Sequence, residues 1–207
     1  MKLSTFEPMR PLAIALLFIF FGFQTTTCLV NAETRYQGIS LPVAISEEQI
    51  DQKIDELKAL ATEQPEDFIL LAYLGHALTQ KALFVPLSQK RALALKGTDT
   101  IDRAVLAAPT DPRLRLIRAI NSILLPKILN RHPIALRDFE LLETQLQKSP
   151  ETFSLTLTRQ TLFYLGSFAQ KEGEKGVAIQ FLKKAQEIPS DIPSNQIIQS
   201  LLDYCKT

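Results

Sequence analysis

Histidine and cysteine, the side chains that most often do chemistry near neutral pH, are scarce in this sequence. His76 and His132 are its two histidines, and they stand far apart in the chain. Neither forms a His-x-x-x-His pair, and Cys28 and Cys205 have no second cysteine at metal-ligand spacing. The sequence therefore predicts no metal site and no cofactor. His76 follows a glycine on an apolar helix, so we expect a packing or groove histidine rather than a catalytic one.

The glycine-dependent motifs of enzymes are also missing. The chain has seven glycines, too few and too scattered for a phosphate-binding loop, and it contains no Gly-x-Ser-x-Gly nucleophile turn. The stretch GEKG, residues 173–176, is predicted to be a turn between helices, because no strand precedes it. The sequence thus favours a non-enzymatic protein, with an enzyme of unrecognised site as an alternative.

A cluster of basic residues is the remaining group that could bind a ligand. It could clamp carboxylates of a partner peptide, or it could be the solvated face of a helix, which is the favoured interpretation. Its members are Arg103, Arg113, Arg115, Arg118, Lys127, Arg131 and Arg137. The formal charge of the whole chain is only +1, which argues against nucleic acid as a partner.

The first 32 residues have the order of a secretory signal. Lys2 and Arg10 precede an uncharged apolar run over 11–23, and Val30 and Ala32 supply small residues before a predicted cleavage site. This predicts an exported, periplasmic chain beginning at Glu33, followed by a flexible linker over 33–45. An uncleaved membrane anchor over 11–30 and a lipid on Cys28 remain alternatives. The sequence has no Asn-x-Ser/Thr acceptor, which agrees with a bacterial envelope protein.

From residue 46 to the end, the apolar residues recur with helical spacing. Eight helices are predicted, at about 46–63, 68–84, 88–108, 112–129, 133–147, 151–171, 174–187 and 194–204. Prolines and Gly173 separate most of them, and no alternating strand pattern is present. The fold class is therefore all-α, and residues 46–207 form one helical domain.

Two of these helices share an internal glycine. The stretches YLGHAL and YLGSFA place Gly75 and Gly166 within good helices, where glycine costs about 1 kcal/mol relative to alanine. Close approach of a second helix would offset that cost. Ala119 lies in the corresponding helix between them, so the spacing predicts three related helix pairs.

The last of these pairs, LFYLGSFAQKEGEKGVAIQFLKKAQEIP, resembles the tetratricopeptide repeat. LAYLGHAL resembles the first helix of an earlier unit, and AVLAAPTDP the end of its second helix, with Pro112 opening the next unit. Arg118 departs from the pattern, which usually has an apolar residue there. The resemblance implies close packing at Leu74, Gly75, Ala104, Pro109, Ala119, Leu165, Gly166, Ala178, Ala185 and Pro189. Helical hairpins without repeat ancestry are the alternative.

A solenoid of such repeats implies passive recognition. Stacked helix pairs leave a concave surface lined by the first helix of each pair. Carried onto this chain, that surface would comprise His76, Gln80, Arg113, Ser167, Gln170 and Lys171. We therefore expect an adaptor of the bacterial cell envelope that binds a protein or peptide, acidic in character. A carrier of lipid or a small apolar ligand, using an apolar interior near 124–129, and a membrane-anchored structural subunit are the alternatives.

The C-terminal helix is predicted to cap the solenoid. Ile197, Ile198, Leu201 and Leu202 form one apolar stripe, which is expected to pack on residues 177–185. Cys205 would then be a peripheral thiol.

Overall fold

The structure, a computed structural model, describes residues 38–41 and 46–206. All the described residues belong to one compact unit, Asn31–Thr207. Those residues contain eight α-helices and no strand, which confirms the predicted all-α class. The helices are α1 (Glu47–Glu63), α2 (Phe68–Lys81), α3 (Leu87–Ala107), α4 (Pro112–Leu124), α5 (His132–Lys148), α6 (Leu155–Lys171), α7 (Lys175–Glu187) and α8 (Asn195–Lys206).

Short side chains begin several of these helices. Ser46 Oγ accepts a hydrogen bond from the Gln49 amide at the start of α1, and Asp67 and Ser154 do the same for α2 and α6. Pro112 occupies the first turn of α4, where its missing N–H would have no partner in any case. These local signals explain why the helix positions are predictable from the sequence.

The two predicted boundaries that differ most from the structure are the end of the fourth helix and the start of the sixth. The helix predicted over 112–129 ends at Leu124, and a separate 3-10 turn covers Lys127–Leu129. Pro126 lies between them, and it cannot donate the backbone hydrogen bond that a continuous helix needs there. The helix predicted over 151–171 begins at Leu155, after a 3-10 turn at Pro150–Thr152.

Neighbouring helices pair along the chain. α2 packs on α3, α4 on α5 and α6 on α7, while α1 covers α2 and α8 covers α7. The first members of the three pairs, α2, α4 and α6, also contact one another in succession. One apolar core runs through α1 to α6 and includes Ile39 and Leu41 from the segment before α1.

Two of these pairs cross at glycine. A Cβ placed on Gly75 would lie 2.6 Å from the carbonyl oxygen of Gly97, and one on Gly97 would lie 2.8 Å from the amide nitrogen of Thr79. A Cβ on Gly166 would lie 2.8 Å from Cγ of Leu182. Gly75 meets backbone atoms that cannot move aside, so α2 and α3 approach closely only because both helices carry glycine at the crossing.

We expect Gly75→Leu and Gly166→Leu each to lower the free energy of unfolding by about 1–3 kcal/mol, through overpacking. Gly176→Leu on α7 is the matched control, because a Cβ there meets nothing within 4 Å. Chemical denaturation of the three variants measures the difference. Equal unfolding midpoints for all three would contradict the close-approach explanation.

The other residues implied to pack fall into two groups. Ala104, Ala119, Leu165, Ala178 and Ala185 are buried, and Leu74 is half-buried. Pro109 and Pro189, in contrast, are exposed in loops. The prolines therefore end helices without contributing to the packed interior.

Arg159 of α6, which the sequence analysis did not single out, attaches α8 to the rest of the domain. Its guanidinium donates to the carbonyl oxygens of Ala185, Ile188 and Pro193 and, at 2.7 Å, to Oδ1 of Asn195. The side chain is buried, and desolvation lowers the pKa of this guanidinium. Four acceptors around one buried cation fix the loop between α7 and α8.

The C-terminal helix lies against α7 and α6. Ile198 and Leu202 are buried and Ile197 and Leu201 are half-buried, as the apolar stripe predicts. The prediction of a peripheral thiol is wrong, because Cys205 is also buried on this face. One helical turn separates it from Leu202, which extends the stripe.

Candidate functional site

An extended segment of the chain, residues 38–41, lies against side chains of α2 and α6. The amide oxygen Oε1 of Gln160 accepts from the Ile39 N–H at 2.8 Å, and its Nε2 donates to the Ile39 carbonyl oxygen at 2.7 Å. The Ser40 N–H donates to the hydroxyl of Tyr73 at 3.0 Å. One side chain thus pairs with both backbone groups of a single residue, as a neighbouring strand would.

The side chains of this segment alternate in burial. Ile39 and Leu41 are buried, whereas Ser40 between them is exposed. This period of two is that of an extended strand with one face covered. A flexible linker is predicted over 33–45, but the described part of that stretch is held by hydrogen bonds and apolar contacts. We call the surface formed by Tyr73, Thr156 and Gln160 around this segment the segment groove.

His76, expected on a concave surface, is instead buried between α2 and α4, with 2% of its surface exposed. Its Nδ1 lies 3.0 Å from Oδ1 of Asn121, and Gln80 Nε2 lies 3.0 Å from its Nε2. The Asn121 oxygen also lies 2.6 Å from the hydroxyl of Thr79. An amide oxygen accepts and an amide nitrogen donates, so the imidazole carries its proton on Nδ1 and is neutral.

Burial lowers the pKa of His76 to about 4, and the hydrogen bond to Asn121 opposes this shift only in part. A neutral imidazole with both nitrogens engaged holds two helices together. It has no free nitrogen for a partner, so the prediction that it lines an open groove is corrected by its burial.

The three groove residues implied on α6 lie near its C-terminal end. Lys171 Nζ donates to the carbonyl oxygen of Ile123 at 2.7 Å and so links the ends of α6 and α4. Desolvation lowers the pKa of Lys171. Ser167 Oγ donates to the Phe163 carbonyl of its own helix, and Gln170 is half-buried. Ser167 and Lys171 therefore make contacts within the chain.

Arg113 is paired with the residue that caps its helix. Its Nε and Nη2 donate to the two carboxylate oxygens of Asp111, with Nη2 to Oδ2 at 2.6 Å. This hydrogen bond and the charge of Asp111 raise the pKa of Arg113. Both residues line a surface cleft of about 410 Å³ beside the loop between α1 and α2.

Much of the basic cluster is neutralised within the chain. Arg118 donates to both oxygens of Asp138, at 2.7 and 2.8 Å, and Arg115 donates to the same carboxylate at 3.3 Å. Asp102 accepts two hydrogen bonds from Arg131, each 2.8 Å long, and a third from Arg118. These five residues, which we call the Asp138 network, join α3, α4 and α5. The three arginines of this network are therefore neither a solvated face nor cations available to bind a partner. Arg103 and Arg137, two other members of the basic cluster, are exposed.

The apolar stretch 123–129 is not an apolar interior. Ile128 is 86% exposed and Leu124 is 49% exposed, because the helix ends before Pro126 and the chain turns across the surface. These residues therefore do not form the apolar interior that the carrier alternative places near 124–129. Two surface clefts are lined by residues of α1 to α4 and their loops, and neither includes residues 124–129.

Sequence reasoning missed the two residues that hold the segment. Gln160 lies in the polar run TRQT within the apolar helix α6, and a buried polar residue among apolar neighbours was the available signal. Tyr73 belongs to the repeated Tyr-Leu-Gly stretch, of which only the glycine was used. A tyrosine with one buried ring face commonly finds a hydrogen-bond partner for its hydroxyl.

Over residues 38–41 and 46–206, no group of three His, Cys, Asp or Glu side chains could hold a metal ion. Among the described helices, none combines the length and apolar character needed to cross a membrane. The predicted signal peptide over 1–32, the alternative anchor over 11–30 and Cys28 lie outside the described residues. No family model, curated protein or solved structure matches this chain.

Proposed function

We propose that this protein is a non-enzymatic adaptor, exported to the bacterial envelope, that binds an extended segment of a partner protein across the first helices of stacked hairpins. The observation that carries the proposal is the seating of residues 38–41 on Tyr73 of α2 and Gln160 of α6. A surface that binds extended backbone in its own chain has the chemistry to bind it in another.

The order of helix contacts supports a repeat-like solenoid. Each hairpin touches the next, the first helices α2, α4 and α6 are neighbours, and α8 covers the last hairpin. In a tetratricopeptide-like stack this arrangement lines one face with first helices and requires a terminal cap, the role we propose for α8. Arg118 fits the same proposal, because the Asp138 network explains a charged residue where the repeat usually has an apolar one.

The backbone contacts suit an adaptor better than a carrier. Gln160 offers one donor and one acceptor in the register of a peptide unit, which a lipid chain cannot use. The residues that would form the interior of a carrier, 124–129, lie at the surface with Ile128 largely exposed. Localisation in the envelope rests on the signal-like order of residues 1–32.

A displayed library of random peptides tests the function. The bait is residues 31–207 carrying Ile39→Asp, which places a charge at a buried position and should release the segment from its groove. We expect enriched peptides to bind this bait and to lose affinity about tenfold in Gln160→Leu, which removes both backbone hydrogen bonds. Gln147→Leu, the same change on the exposed face of α5, should leave binding unchanged.

Cooperative unfolding of every bait is measured first, so that loss of binding is not loss of fold. Failure to enrich any peptide, or enrichment that survives Gln160→Leu undiminished, would contradict the proposed function.

A further inference from the structure

We infer that the segment groove recognises the pattern glycine, aliphatic, any residue except proline, aliphatic, and that the partner supplies this pattern by displacing the chain's own copy, Gly-Ile-Ser-Leu at 38–41. This inference rests on the proposed function and adds the sequence that the groove selects.

The requirement for glycine comes from contact with α6. A Cβ on Gly38 would lie 2.6 Å from Oε1 of Gln160 and 2.8 Å from Cγ2 of Thr156. Gln160 cannot turn aside without giving up both of its hydrogen bonds to Ile39. Any larger residue at this position must therefore either break the backbone pairing or push the segment out of the groove.

The two aliphatic positions come from burial. Ile39 and Leu41 are 6% and 7% exposed and belong to the main apolar core. A polar side chain at either position would lose its hydrogen bonds to water and would be buried without a new partner, which is unfavourable. An aliphatic side chain has no such hydrogen bonds to lose. The core atoms that receive these two side chains therefore select apolar residues spaced by two.

The position between them selects only against proline. Ser40 is exposed, so its side chain is free to vary. Its N–H donates to the hydroxyl of Tyr73, and proline has no N–H to donate. Together, the four positions define a peptide that the groove recognises mainly through backbone hydrogen bonds and through the absence of a side chain at the glycine.

The chain's own segment competes with any partner. Because it is tethered close to α1, its effective concentration at the groove is on the order of millimolar. A partner peptide must therefore overcome this internal ligand. Weakening the segment should raise the apparent affinity for a peptide without any change in the groove itself.

A fluorescent peptide with the sequence YQGISLPV, residues 36–43 of the chain, tests this directly. It is titrated into residues 31–207, either unchanged or carrying Ile39→Asp. We expect the Ile39→Asp chain to bind it at least about tenfold more tightly than the unchanged chain. The same peptide with Gly38→Val should bind about tenfold more weakly or worse, and one with Ile39→Asp should not bind. A Ser40→Ala peptide is the matched control and should bind like the original.

Equal binding of the Gly38→Val peptide would overturn the pattern. If library peptides bind in a Gln160-dependent way while YQGISLPV does not, this inference is wrong and the proposed function stands. If no peptide binds, both are wrong. A dimer of the unchanged chain that dissociates with Gly38→Val would show that the occupant is a second copy, which overturns the assignment to a partner protein.

Discussion

Replacing Asp138 by alanine is expected to lower the free energy of unfolding by about 3–5 kcal/mol, because it leaves partly buried arginines without their counter-charge. The Asp138 side chain is fully buried and accepts from both Arg118 and Arg115. Burial of Arg118 disfavours its charge, yet its hydrogen bonds to Asp138 and the nearby carboxylates raise the pKa of this guanidinium. The ion pairs of Asp138 with Arg118 and Arg115 therefore stabilise the contact between α4 and α5.

A matched exposed pair provides the control for this prediction. Asp55 and Lys58 also form an ion pair, but both side chains are largely in water, so Asp55→Ala should leave the unfolding midpoint unchanged. Unfolding is followed in urea, with and without added sodium chloride, because guanidinium chloride would itself screen the charges. We expect the loss in Asp138→Ala to be nearly independent of salt, since buried pairs are screened little. Similar midpoints for the two variants would show that the Asp138 network contributes nothing specific.

The helices could be predicted from the sequence because their signals are local. Ser46, Asp67 and Pro112 mark helix starts within a few residues of the turns that they satisfy. The boundaries that differ lie where this locality fails. At Pro126 the choice between a kinked helix and a break depends on what the following residues can pack against, which no short window of sequence contains.

The segment groove could not be predicted, because its parts are distant in the chain. Gln160 and Ile39 are separated by 121 positions, and a polar run in a helix does not say which backbone it will meet. Gly97, likewise, acquires its role only when α3 crosses α2 at Gly75. The basic cluster was interpreted without its partners for the same reason, since Asp102 and Asp138 lie on other helices. The residue types indicate which side chains need polar contacts, but the packing of the helices determines which partners they meet.

The buried imidazole of His76 predicts a specific pH dependence of stability. Its pKa is about 4 in the folded chain and 6.5 in the unfolded chain, so between these values only the unfolded chain binds the proton. Above pH 6.5 the imidazole is neutral in both states and does not lower the free energy of unfolding. Below pH 6.5 the free energy of unfolding falls by about 1.4 kcal/mol for each unit of decreasing pH. The total loss is about 3 kcal/mol, complete near pH 4.

The measurement is urea unfolding at several pH values between 7.5 and 4 for three chains. His76→Gln cannot titrate, so it should lose this part of the slope, although the substitution itself lowers stability at pH 7.5 by disturbing the contacts to Asn121 and Gln80. His132→Gln, at a side chain that is 44% exposed, is the control for replacing a histidine that is not buried. The NMR titration of the imidazole protons adds an independent reading. A His76 signal that titrates near pH 6.5 in the folded protein would mean that water reaches the imidazole, and the contact between α2 and α4 would then not depend on a neutral ring.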